Sequence, residues 1–224
     1  MHAFQEEYEK RKEEIESYLT LISVMDSDGA VINDIDDNHT VITSTQIKVC
    51  KASFYLILYN LVEATVIAGV ISIYDRIRDE QLKFTDIKDE LRKVWWHSKS
   101  ESLTACGRNS LIEKVYEHYC DAINSSEIDF GRFVSGVSGN LSAETVREVC
   151  RRYGIETVGD GRDLESVKTH RNNLAHGNMS FSDIGQDLTP SQLVDVKIRT
   201  FTFLDTYVAN INSYLEGCSY KVSA

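Results

Sequence analysis

Apolar and polar residues alternate along this chain with the period of helices. Near the N-terminus Phe4, Tyr8, Ile15, Tyr18, Leu19 and Ile22 recur at spacings of three, four and seven. Glu6, Glu7, Glu9, Lys10, Lys12 and Glu13 fill the opposite face, which predicts a helix over residues 2–23. The pattern breaks over residues 24–43, where Asp26, Asp28, Gly29, Asp34, Asp36, Asp37 and Asn38 predict an acidic surface loop, with a short hairpin pairing residues 30–32 with 41–42. Thr43-Ser44-Thr45-Gln46 then reads as a capping box, in which the threonine and glutamine side chains each satisfy a backbone N–H left open at a helix start. It opens the longest helix, predicted to run to about Glu80. Shorter amphipathic helices follow over 85–98, striped by Ile87, Leu91, Val94 and Trp95, and over about 109–123, using Leu111, Ile112, Val115, Tyr116, Tyr119 and Cys120.

Residues 124–141, with Ser135, Gly136, Ser138 and Gly139, predict a loop. Ser142 is a natural N-cap for a helix through Arg152, ended by Gly154. The turn Gly159-Asp160-Gly161 precedes a helix from about Asp163, and Gly177 stops it because glycine tolerates a left-handed conformation there. Thr189-Pro190-Ser191-Gln192 forms a second capping box, with proline at the first helical position, before a long stripe from Leu193 to Leu215. The sum is an all-α bundle of six or seven helices, one domain over residues 1–224, with an acidic loop inserted after the first helix.

Composition agrees. A single proline, Pro190, is too little punctuation for a large all-β protein, and 42% hydrophobic residues suffice for a real core. The stretch 52–73 is long and apolar, but Asn60, Glu63 and Thr65 sit near its middle. An ionised glutamate is costly at a bilayer centre, so a core helix is expected. The charged start, residues 1–14, has no apolar run of a secretory signal, and the expected location is the cytoplasm. Cys50, Cys106, Cys120, Cys150 and Cys218 are odd in number and widely spaced, which predicts free buried thiols and neither a disulfide framework nor a zinc site. A net charge of −11 argues against non-specific binding to nucleic acid or anionic lipid, so any RNA site has to be a local basic pocket.

Such a pocket is suggested by Lys168-Thr169-His170-Arg171-Asn172-Asn173-Leu174-Ala175-His176-Gly177, which gathers four cationic or titratable side chains into the nine residues 168–176. The plain reading is a helix end whose cations offset the macrodipole. The chemical reading rests on what RNA cleavage requires. The 2′-hydroxyl needs a base, the departing 5′-oxygen an acid, and the phosphorus a cation. Histidine titrates near neutrality, and arginine presents a permanent planar fork to phosphate.

Arg171, four residues and then His176, with polar Asn172 directly after the arginine, resembles the R-x4-6-H signature of the HEPN superfamily. Tyr59-Asn60-Leu61-Val62-Glu63-Ala64, Ser138-Gly139-Asn140, Phe181 and Gly185 are similar to a prokaryotic, MAE-type HEPN branch, over about residue 45 to the C-terminus. The resemblance implies a dimerising helical bundle and, in active members, a metal-independent endoribonuclease acting on RNA such as tRNA or mRNA, with no cofactor. It further implies a toxin or anti-phage setting with an antitoxin or defence-system partner protein. Some relatives carry a modifiable tyrosine two residues after the histidine; Asn178 stands there, which argues against a nucleotidyltransferase antitoxin.

The candidate catalytic residues are therefore Arg171, His176 and Asn172, with Glu63, Asn60 and His170 as orienting residues. Five residues along an ideal helix turn the direction by roughly 140°. Arg171 and His176 converge only if the helix end distorts, or if a two-fold dimer brings two copies of each to one site. Asn60 and Glu63 lie on one face, readable as satisfied buried polar groups, as a wet stripe, or as a carboxylate that fixes Arg171 or His176. Trp95-Trp96-His97 reads as core or as a base-stacking platform. Arg151, Arg152 and Arg162 read as helix-end charges or as a phosphate path.

Overall fold

The computed structural model describes residues 3–33, 39–104, 107–124, 128–131, 134, 137 and 140–222, and both capping boxes are closed in it. Thr43 N–H donates to Gln46 Oε1 (2.8 Å), and Gln46 N–H to Thr43 Oγ1 (3.3 Å). Thr189 and Gln192 repeat the exchange at 2.8 and 3.2 Å. They start α2 (Ser44–Asp79) and α8 (Pro190–Glu216). The other elements are α1 (Ala3–Met25), β1 (Val31–Asn33), β2 (His39–Val41), α3 (Asp89–Thr104), α4 (Arg108–Ile123), α5 (Ala143–Tyr153), α6 (Arg162–Ala175) and α7 (Phe181–Gly185). The fold is all-α. The hairpin pairs β1 and β2 antiparallel, with Val31 opposite Val41; Asp34, Asp36, Asp37 and Asn38 lie outside the described residues, as do Ser135, Gly136, Ser138, Gly139 and Cys106.

The chain divides into two compact units. The first is Met1–Thr65, Gly139–Ala143 and Gly159–Asp205; the second is Val66–Ser138, Glu144–Val158 and Thr206–Ala224. In the first, α1 buries Phe4, Tyr8, Ile15, Leu19 and Ile22, the stripe its periodicity predicts. Tyr8 donates its hydroxyl to Asp205 (2.7 Å), and Lys12 reaches the same carboxylate at 3.0 Å, tying α1 to α8. Ala52, Phe54 and Leu58 of α2 are wholly buried. Gly185 ends α7 against the backbone of Lys48.

In the second unit the core is Val66, Val70, Ile73 and Ile77 of α2 with residues of α3, α5 and the end of α8. Tyrosine hydroxyls lace it together: Tyr207 donates to the Val66 carbonyl (2.9 Å), Tyr214 to that of Tyr153 (2.9 Å), and Tyr74 and Tyr153 share a bond of 2.6 Å. Thus α2, which is long and apolar enough to cross a membrane by length and composition, has its most apolar positions inside the fold. A buried face with a polar strip is what a core helix requires.

Four expectations change. Helix α3 begins at Asp89, because Ile87 is drawn into a bridge with Lys221 and Lys88 N–H donates to the Tyr220 carbonyl. The apolar stripe predicted for α4 lies largely at the surface: Ile112, Val115, Tyr116 and Tyr119 are exposed, and Ala122 is buried. Among the described cysteines Cys150 is buried, Cys50 and Cys120 are half-buried and Cys218 is exposed. An eighth helix, α7, is added, started by a capping box between Ser180 and Asp183.

Candidate functional site

Helix α6 ends with a built reversal. Asn178 N–H donates to the Asn173 carbonyl (2.9 Å) and Gly177 N–H to that of Leu174 (3.3 Å), the paired bonds of a Schellman motif. Gly177 takes a φ of +70°, while His176, the C-cap, keeps φ −93° and ψ −2°. The chain therefore stays near-helical through His176 and turns only after it. The helix end does not distort to bring His176 round to Arg171, and the angular offset between them persists. His176 is exposed at the C-terminal end of the helix, and its ring makes no hydrogen bond among the described residues.

Arg171 is half-buried and held from two directions. Its guanidinium lies over the ring of Tyr59, 4.5 Å from the centroid, and its Nη1–H donates to Asn172 Oδ1 (2.9 Å). The amide of Asn172 in turn donates from Nδ2 to Asn140 Oδ1 (3.0 Å). Tyr59 is buried, and its oxygen accepts the N–H of Leu141 (2.9 Å). Burial, reinforced by the Glu63 charge and opposed by the Leu141 N–H and the charges of Arg171 and Lys168, raises Tyr59 above the usual tyrosine range. Its phenol stays neutral, a π-face and acceptor for its cationic and N–H neighbours.

Residues 2–220 match the model of the HEPN_MAE_28990 family, a family of HEPN domains. The chain belongs to the HEPN superfamily. No curated protein and no solved structure matches it.

Within this HEPN chain the structure brings together Arg171 and Asn172 and adds Tyr59 and Asn140. Both ends of the Asn172 amide are engaged, so it acts on Arg171. His170 faces elsewhere: its ring stacks on Tyr55 (4.3 Å between centroids, 13° between planes), and Nδ1 lies 2.8 Å from the Ser166 carbonyl. Tyr55 and Tyr59, one helical turn apart on α2, thus receive His170 and Arg171 in succession. Asn60 is exposed and Glu63 half-buried, and among the described residues neither side chain has a hydrogen bond or ion pair. The pair is a wet stripe on α2, and no contact supports Glu63 as the group that fixes Arg171 or His176.

The remaining candidates resolve simply. Trp95 is buried and meets Trp96 edge-on at 5.2 Å, so it is core. Arg151 pairs with Glu144 (2.7 Å) and Arg162 with Asp160 (2.5 Å), both on the exposed surface. The roles of Tyr59 and Asn140 had one sequence signal, their presence in the strings that carry the HEPN resemblance; nothing in helical periodicity singles out either.

Proposed function

We propose that this HEPN protein is an endoribonuclease that cuts RNA without a metal, with Arg171 and His176 as its catalytic residues. The observation that carries the reading is the contrast between the two side chains: Arg171 is fixed by Tyr59 and Asn172, while His176 stands exposed, without a hydrogen bond among the described residues, at the end of the same helix. A fixed cation suits charge building on phosphorus, and a solvent-facing imidazole suits proton transfer. The 2′-oxygen attacks phosphorus as its proton passes to one histidine. The 5′-oxygen leaves with a proton from another, and a 2′,3′-cyclic phosphate remains. Two histidines are needed in one step, and the offset at the end of α6 keeps Arg171 and His176 of one chain apart, so the site is a composite of two subunits in a homodimer. The setting is a cytoplasmic toxin or anti-phage effector with tRNA or mRNA as substrate, restrained by an antitoxin or defence-system partner.

The test is cleavage of RNA in excess chelator, with analysis of the product ends. Arg171→Ala and His176→Ala are expected to abolish cutting while leaving the fold intact. Variants that cut as fast as the parent sink the reading.

A second reading is favoured by the charge distribution. The net charge is −11, and Arg147, Arg151, Arg162, Lys168 and Arg199 each pair with a carboxylate. This acidic balance suits a non-catalytic module that binds RNA, a nucleotide or a partner protein. Growth arrest on expression, relieved by His176→Ala, separates the enzyme from the module.

A further inference from the structure

We infer that Tyr59 and Asn140 are positioning residues that set the plane and reach of the Arg171 guanidinium, an inference that rests on the ribonuclease reading for its kinetic consequence. Arginine has a long, rotamer-rich stem, and a half-buried one wanders unless something fixes it. Two contacts restrain this one. The Tyr59 ring, with its centroid 4.5 Å from the guanidinium carbon, limits movement toward α2. Asn172 Oδ1, at 2.9 Å from Nη1, holds one edge of the guanidinium and limits its rotation.

The second restraint depends on Asn140. A side-chain amide presents an oxygen on one side and an NH2 on the other, and only the oxygen attracts an arginine. By accepting from Asn172 Nδ2 at 3.0 Å, Asn140 holds the amide with its oxygen toward Arg171. A free amide can turn over and set donor against donor. The next residue closes the ring: Leu141 N–H donates to Tyr59 at 2.9 Å, so residues 140 and 141 are anchored at both ends of the same assembly. The circuit runs from Leu141 through Tyr59, Arg171 and Asn172 to Asn140. It joins α2, α6 and the segment leading into α5, all within the first unit.

Neither residue touches the reacting atoms in this scheme, so the effect falls on kcat more than on KM. Asn140→Ala is the leading variant, since Asn140 is exposed and its loss does not threaten the core. It is expected to lower kcat about tenfold with KM changed less than about threefold, whereas Asn140→Asp, which keeps the acceptor, stays within about threefold of the parent. Tyr59→Leu is expected to lower kcat about tenfold, and Tyr59→Phe, which keeps the ring, much less.

A second measurement is independent of catalysis. The Nε–Hε resonance of Arg171, identified by its loss in Arg171→Lys, is expected to carry the ring-current shift of Tyr59. That shift should persist in Tyr59→Phe, vanish in Tyr59→Leu and broaden in Asn140→Ala. If the parent cuts no RNA, the ribonuclease reading falls, and the resonance alone decides the positioning. The inference is overturned if Asn140→Ala and folded Tyr59→Leu match the parent resonance, or if both cut RNA at the parent rate.

Discussion

Gly185 lies so close to Lys48 that a β-carbon at residue 185 would overlap the Lys48 carbonyl. Backbone meets backbone here, and no rotamer change can relieve an added methyl group. Gly185→Ala is expected to destabilise the protein by about 2–4 kcal/mol, at the upper end of overpacking substitutions. Denaturant unfolding of the purified variant measures it; an unchanged midpoint would show that α7 shifts freely on α2.

Gly177 provides a contrast, because nothing lies within 4 Å of the position a β-carbon would take, and its constraint is purely conformational. At φ +70° an alanine is strained, and Gly177→Ala is expected to cost about 1 kcal/mol through loss of the helix stop. Asn, which tolerates the left-handed region better, is expected to cost less. Thermal melts of the two variants give the order, and an alanine variant as stable as the asparagine one contradicts it.

Much of this was legible in the sequence, and the parts that were not share a cause. The boxes at Thr43–Gln46 and Thr189–Gln192 and the stop at Gly177 are local, decided by a few neighbouring residues. Helix α7 is local too, with Ser180 and Asp183 in plain view, but five residues are too few to show a period. Periodicity also says which side chains share a face, not which way the face turns; hence Ile112 and Tyr116 belong to the predicted apolar stripe and yet are exposed. Arg171 and Asn172 are adjacent in the chain and readable together. Tyr59 and Leu141 are 82 residues apart, and only tertiary packing joins them.

Alkaline pH should unfold the protein and ionise its tyrosines together. Burial raises Tyr8, Tyr74, Tyr207 and Tyr214 above the ordinary tyrosine value. In the unfolded chain they ionise near about pH 10. The folded state holds these protons more tightly, so the stability they contribute is complete below about pH 10 and is lost as the pH rises beyond it. Tyrosinate absorbance and helical circular dichroism, followed in one titration, are expected to show these groups ionising only as helix is lost. Full ionisation near pH 10 with helix retained would contradict the burial assigned to them.

The proposed composite site predicts how mixtures of parent and variant behave. If each cut needs His176 from both subunits, one as base and one as acid, a dimer with a single His176→Ala chain is inactive. Parent and variant co-expressed in equal amounts assort at random, and only about a quarter of the dimers carry two intact chains, so activity per total protein should fall to about a quarter. Chains that act alone would retain about half. Varying the ratio separates the cases further, since the first falls with the square of the parent fraction and the second in proportion to it. His176 is exposed and takes no part in the core, so its loss should leave assembly intact, which sedimentation of the variant checks. A proportional decline would place the whole reaction in one chain and require a second proton-transfer group on it. His170, held against Tyr55 and Ser166, would then be the first residue to replace.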